Sequence, residues 1–313
     1  MNIATCLKGI EDITEKEVQG KKILPGRVEF SGTVRDFRSV LGVYEVLHTC
    51  QFTSLEDIER EAQKFIFPLQ GSIRVDCMRE GEHPFNSVDV EKIVSTVLRK
   101  QGRIIDFKNA EQTLLVDVVE DYCFFGIPLQ RRLQKRAYRV KINNQGIHAC
   151  LAYAMVQLAG YRAGNILIDP FCKDGTLLIE AGLTAPGTLH GLDQNKNTIR
   201  NAQLNAALAK VPVLFHIEHV DWLETLFKPK EVDCIASYPP FASKRRKPRA
   251  MHALYTQLFQ SCQRLLKGKI VLLSPDRTPL HYAEGFRSEE RTVHVGKQSF
   301  FLFTFYTRAV VDD

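Results

Sequence analysis

Asp169-Pro-Phe-Cys-Lys-Asp-Gly175 follows the apolar run Asn165 to Ile168 and precedes a helix-like stretch from Thr176 to Leu183. The run has the length of a buried strand, the carboxylate closes it, and Gly175 lets the chain approach a ligand closely before the helix begins. A strand end, a tight turn and a helix N-terminus gather acceptors and backbone N–H donors around a small charged cofactor. Working outward, the pattern predicts a helix over His148 to Ala159. Strands are expected near Asn165 to Asp169, Thr188 to Asp193, Val213 to Glu218, Val232 to Ser237 and Lys269 to Ser274, with helical stretches between them. Such alternation specifies a parallel, doubly wound sheet. Thr292 to Val295 and Phe300 to Tyr306, joined by Gly296-Lys-Gln-Ser299, predict a terminal hairpin on it. An α/β, Rossmann-like domain with a mainly parallel seven-stranded sheet is therefore expected over 147–313.

Asp193 closes the second of these strands, where an acidic side chain can accept two ribose hydroxyls. It also precedes Asn195 to Leu208 and is placed to cap that helix, so both roles stay open. Asp221 is placed to accept from an adenine amino group while Trp222 covers the ring; a turn aspartate beside a packed Trp reads equally well. Phe171, Lys173, Thr176 and Gln194 complete the expected cofactor set. After the fourth strand comes Ser237-Tyr238-Pro239-Pro240-Phe241. Neither proline can continue a helix or ladder, so the turn can point a carbonyl inward while the aromatic stacks on a base. That equipment suits amine methylation, which must accept the amine hydrogens and hold the nitrogen in line with the methyl donor.

The 313 residues are 44% hydrophobic, enough for two compact units rather than a disordered chain. No run approaches a membrane span and Met1 to Glu11 lacks a secretory signal pattern, so a cytoplasmic protein is expected. Eight cysteines without a C-x-x-C pair argue against a zinc knuckle or a disulfide framework, and no metal is expected. The formal charge of +6 bunches at Arg131-Arg132-Leu-Gln-Lys135-Arg136 and at Lys244-Arg245-Arg246-Lys247-Pro-Arg249, as a polyanion-binding surface or a solvated face would. The first half, to about Leu129, mixes β-rich runs with amphipathic helices, and Gln130 to Gln145 has the character of a surface linker.

The tetrad and the cofactor loop resemble the amino-directed, Rossmann-fold S-adenosylmethionine (SAM) methyltransferases. In that family the fourth motif reads Asp/Asn/Ser-Pro-Pro-aromatic and the loop reads Asp-Pro-Phe-Cys-Gly-Thr-Gly. The resemblance implies SAM across Asp169, Gly175, Asp193 and Asp221, an amine held by the Pro239 carbonyl, and a base stacked on Phe241. Two departures stand out. Tyr238 occupies the acceptor slot with Ser237 one residue early, and Lys173 stands where glycine is usual, either to pair with the SAM carboxylate or to obstruct its methionine portion. Ile73 to Glu91, with Arg74, Arg79, His83 and Phe85, resembles the THUMP domain of tRNA-modifying enzymes, and Cys6 to Glu17 with Pro25 to Phe30 resembles its ferredoxin-like companion. The chain is thus similar to the THUMP-containing tRNA guanine-N2 methyltransferases of archaea and eukaryotes. Expected units are a ferredoxin-like domain (1–55), a THUMP domain (56–130), a linker (131–146) and the methyltransferase domain (147–313). The resemblance implies a monomer, with or without a helper subunit, that acts on the N2 amine of a tRNA guanosine. Phosphates would meet Arg74, Arg79, His83, Lys244, Arg245, Arg246, Lys247 and Arg249, and Phe85 would be core. N4 of cytidine as target, or an RNA-binding scaffold without catalysis, are the alternatives; the THUMP-like half disfavours DNA.

Overall fold

The computed structural model describes residues 1–241 and 248–307. Two compact units emerge: Met1–Cys6 with Thr14–Leu133, and Leu7–Ile13 with Gln134–Asp313.

The first unit is built on one eight-stranded sheet. Its elements are β1 (Asn2–Cys6), α1 (Glu11–Val18), β2 (Lys21–Leu24), β3 (Arg27–Phe30), β4 (Val40–Gln51), α2 (Leu55–Lys64), β5 (Ser72–Glu80), α3 (Ser87–Lys100), β6 (Ile104–Ile105), β7 (Gln112–Val119) and β8 (Tyr122–Gln130). Only the last three residues of α1 beyond Glu15 and their two predecessors from Thr14 onward group with this unit. The sheet order is β2-β3-β1-β4-β8-β7-β5-β6, with β5 and β7 parallel. Helices α2 and α3 start at capping boxes, Ser54 with Asp57 and Asn86 with Asp89, which satisfy backbone donors at each N-terminus. Phe85, Val90, Val94, Val97 and Leu98 pack into the core with Val116 and Phe125. The ferredoxin-like and THUMP-like segments therefore share a continuous sheet, because the pairing of β4 with β8 joins their strands.

A buried ionic group crosses that sheet. Arg27 of β3 donates to both Asp117 oxygens (2.5 and 2.7 Å), and the Tyr44 hydroxyl of β4 donates to Asp117 Oδ2 (2.8 Å).

The second unit holds α4 (Ala149–Leu158), β9 (Ile166–Asp169), α5 (Thr176–Gly182), β10 (Thr188–Leu192), α6 (Lys196–Ala209) and β11 (Leu214–His216). A 3-10 turn at Val220–Trp222 leads to α7 (Leu223–Leu226), β12 (Val232–Ser237), α8 (Pro248–Leu265), β13 (Leu266–Ser274), β14 (Phe286–Val295) and β15 (Gln298–Thr307). The order is β11-β10-β9-β12-β13-β15-β14, parallel except for the terminal hairpin, in which β15 runs antiparallel to β13. This is the seven-stranded sheet that the alternation predicts. Strand order reverses between β9 and β12, and ligands of open α/β sheets bind beyond the carboxyl ends at such a reversal. Leu7–Ile13 is held in this unit by the hairpin: His294 N–H donates to the Lys8 carbonyl (3.0 Å) and Arg291 pairs with Asp12 (2.7 Å).

The expected surface linker is not loosely solvated. It forms no helix or strand, yet the Tyr138 hydroxyl (2.6 Å) and Arg136 Nε (2.9 Å) both bond the buried Glu180 carboxylate on α5. A carboxylate inside a helix face needs such partners, and the charged residues that suggested solvent supply them.

Candidate active site

Asp169 ends β9 and Ser237 ends β12, so the strand reversal brings their side chains together. The Ser237 hydroxyl donates to Asp169 Oδ1 (2.5 Å), and the Phe171 N–H donates to the same oxygen (3.1 Å). Burial holds the Asp169 carboxyl up at about 6, opposed by the Ser237 and Phe171 hydrogen bonds and by the nearby Lys173 charge. The loop then turns through two left-handed residues, Lys173 (φ 49°) and Gly175 (φ 76°). A Cβ at Gly175 would lie 3.2 Å from Ala202 Cβ, which explains the need for glycine there. Asp174 accepts from the Thr176 N–H (3.3 Å) and hydroxyl (2.8 Å), fixing the start of α5. Thr176 is fully buried in this cap, so its hydroxyl serves the loop.

A cleft of about 780 Å³ opens beyond these strand ends, lined by Phe171, Lys173, Asp193, Gln194, Glu218, Asp221 and Pro240, among others. A smaller pocket lined by Asp169 and Tyr238 shares Phe171 and Lys173 with it. Asp193 Oδ1 accepts from the Asn195 N–H (2.8 Å), whereas the cap of α6 is Asn195, whose side chain accepts from Asn197 and Thr198. Asp193 is therefore not the helix cap. Asp221 is exposed and contacts His219 Nδ1 at 2.8 Å.

Several expected positions fall elsewhere. Trp222 remains 47% exposed and is not among the cleft-lining residues, because the 3-10 turn that presents Asp221 and Val220 to the cleft carries the next side chain away. Ser237 is fully buried with its hydroxyl directed to Asp169, so it supports that carboxylate rather than facing a base. The Tyr238 ring stacks near Phe241 (6.0 Å, 19°) and carries the Lys173 ammonium 3.7 Å from its centroid. Pro240, rather than the buried Pro239, lines the cleft, and its carbonyl accepts from the Tyr255 hydroxyl at 3.4 Å.

Asn143, Gln145, Glu218, Met251 and Gln257 also line the cleft, at positions that none of the sequence motifs marks. Asn143 and Gln145 lie in the segment whose charge pointed to solvent; the closely spaced Asn143-Asn-Gln-Gly146 turn was their only signal.

On the first unit, Arg74 and Arg79 are exposed, as a phosphate-contacting role requires. Arg74 pairs with Asp76 (2.6 Å), as does Arg131 (2.6 Å). His83 departs from expectation: Nδ1 takes a bond from Arg79 Nη1 (3.0 Å), Nε2 lies 2.7 Å from the Glu120 carbonyl, and the ring stacks on Phe85. It closes its own loop. Phe85 is core, as expected. Arg249 is exposed; Lys244, Arg245, Arg246 and Lys247 lie outside the described residues.

Residues 136–301, more than half of the chain, match the RMKL-like methyltransferase domain. The chain belongs to that family. Residues 52–127 match the THUMP domain. Over 218 residues the chain is 33% identical to the tRNA (guanine(6)-N2)-methyltransferase of Thermus thermophilus, a match that spans 65% of this chain and 62%, less than two thirds, of that protein. The tRNA (guanine(6)-N2)-methyltransferase of Archaeoglobus fulgidus is 23% identical over 326 residues, covering 87% of this chain and 82% of the relative. Among solved structures, TrmN from Thermus thermophilus has a TM-score of 0.80 at 26% identity, covering 98% of this chain and 99% of that chain. A possible methylase from Clostridium difficile 630, 18% identical with a TM-score of 0.82, shares the fold.

Proposed function

We propose that the chain transfers a methyl group from SAM to the N2 amine of a guanosine in tRNA. The observation that carries this reading is the cleft at the strand reversal, with carboxylates at the ends of successive strands and a proline turn at its lip. Its volume of about 780 Å³ lies in the range of small-molecule pockets, and its acidic lining suits a cofactor bearing a sulfonium. When bound, SAM supplies an electrophilic methyl group. Asp193 accepts the ribose hydroxyls, Asp221 accepts from the adenine amine, and Asp169 faces the methionine end. Pro240 lines the cleft at its lip, and the adjoining turn would offer the Pro239 carbonyl to an amine hydrogen and the Phe241 ring to the base, holding the nitrogen in line. No strong base would be needed: as the N–CH3 bond formed and the S–CH3 bond broke, the sulfonium would leave as a neutral thioether and the methylated amine, then cationic, would lose its proton to water.

RNA is the partner, and Arg74, Arg79, Arg249 and the basic run 244–247 meet its phosphates. Both relatives described above are named for guanine 6 of tRNA, which makes that position the first to test. Unmodified tRNA is incubated with methyl-labelled SAM and digested to nucleosides for mass spectrometry. Labelled N2-methylguanosine is expected. Label in N4-methylcytidine would redirect the target, and tRNA binding without transfer would favour a scaffold.

A further inference from the structure

We infer that Lys173 recognises the carboxylate of the cofactor, held in place by the ring of Tyr238, and thereby fixes which way round a zwitterionic nucleoside lies in the cleft. The inference rests on the SAM reading above and decides between the two roles the sequence leaves to this lysine.

Among the described residues lining the cleft, Lys173 is the sole lysine or arginine, while Asp193, Glu218 and Asp221 line it as well. The cleft is therefore electrically polar. Acidic groups suit the hydroxyl- and amine-rich nucleoside, and the single ammonium stands by the pocket that holds Asp169. SAM has the matching polarity, because its amino-acid end carries a carboxylate beside an ammonium. Lys173 lines the cleft as well as the small pocket beside Asp169, so a carboxylate at that end of the cleft meets the ammonium while the cofactor's positive groups face the acidic lining.

The lysine is also held, rather than dangling. Its side chain is almost wholly buried (9% exposed), and the ammonium sits 3.7 Å from the Tyr238 ring centroid. An ammonium sits on a flexible stem, and an aromatic face at this distance restrains it. Its backbone adopts φ 49°, a conformation L side chains disfavour, and such strain persists where the surrounding structure imposes it. Tyr238 thus acts as a positioning residue for Lys173, and the two departures from the family pattern form one device.

Calorimetry on the full chain tests this with two probes, SAM and decarboxylated SAM, which lacks the carboxylate. The unmodified chain is expected to prefer SAM by about tenfold or more. Lys173→Gly should lose that preference while melting at the same or a higher temperature, since glycine suits φ 49°. Should the glycine variant prove unstable, Lys173→Met gives the same readout with the side-chain length retained. Tyr238→Phe should keep the preference and Tyr238→Leu should lose most of it. A preference that persists in Lys173→Gly, or tighter SAM binding by that variant, would overturn the assignment; the latter would make the lysine an obstruction. Equal binding of both probes by the unmodified chain would remove this inference alone, whereas binding of neither would remove the SAM reading as well.

Discussion

Asp169 carries the most consequential ionisation in the site. Burial raises its carboxyl to about 6 from 3.8, so the folded chain binds this proton more tightly than the unfolded one. Its contribution to stability is therefore fully present below about pH 4 and is lost as pH rises through about 6, leaving a cost on the order of 3 kcal/mol at neutral pH. The same ionisation readies the site for a cationic cofactor. SAM affinity is expected to rise between pH 5 and pH 7, as measured by calorimetry across that range. Asp169→Asn keeps an acceptor for the Ser237 hydroxyl but removes the buried charge. That variant should melt a few degrees higher at pH 7.5, bind SAM at least about tenfold more weakly, and show no rise in affinity over the same interval. A flat profile in the unmodified chain would remove Asp169 as the titrating group. At this scale the sequence exposed which residues matter better than what each one touches: Asp169 and Asp193 line the site, but no periodicity could reveal that Ser237 points at Asp169 or that Trp222 turns outward.

At the scale of elements, two buried carboxylates hold segments together. Asp117 on β7 binds Arg27 of β3 and Tyr44 of β4, residues more than 70 positions away in the chain. Asp117→Ala strips the buried Arg27 guanidinium of both Asp117 bonds and leaves it the Glu80 carboxylate (3.1 Å), so it should cost up to roughly 3–5 kcal/mol, whereas Arg27→Met combined with Asp117→Leu should cost less; urea unfolding measures both. Equal losses in the two variants would mean that packing, rather than the stranded charge, sets the cost. Glu180 on α5 anchors the segment from Arg136 to Gln145, whose Asn143 and Gln145 line the cleft. Glu180→Gln is expected to speed proteolysis within 134–146 and to weaken SAM binding several-fold. Unchanged cleavage would show that Tyr138 packing suffices. The charged composition of this segment read as solvent-facing because sequence reports charge but not its partner. Element type was easier to read: β-α alternation and the terminal hairpin both follow from local pattern, and local pattern is what sets them.

Over the whole molecule, affinity for RNA should fall with salt in proportion to the phosphates neutralised. Arg74 and Arg131 share Asp76, so the three side chains together present a single net positive charge. Asp76→Ala is expected to tighten tRNA binding about two- to threefold, and Arg79→Ala to lower the log–log salt slope by about one unit; filter binding at several ionic strengths measures both. A slope that Arg79→Ala leaves unaltered would take this residue out of the RNA contact. The chain's larger plan was legible where neighbouring residues decide it, as in the mainly parallel sheet. It was illegible where distant segments share one sheet, since the pairing of β4 with β8 leaves no local trace. Leu7–Ile13 is the extreme case. Seven residues near the start of the chain complete a body whose remainder begins at Gln134, and a Cβ at Gly9 would lie 2.1 Å from the Thr292 carbonyl oxygen. A gene cut at the connecting segment would thus yield a catalytic half missing one of its own pieces, and co-expression with a peptide spanning residues 7–13 becomes the natural rescue.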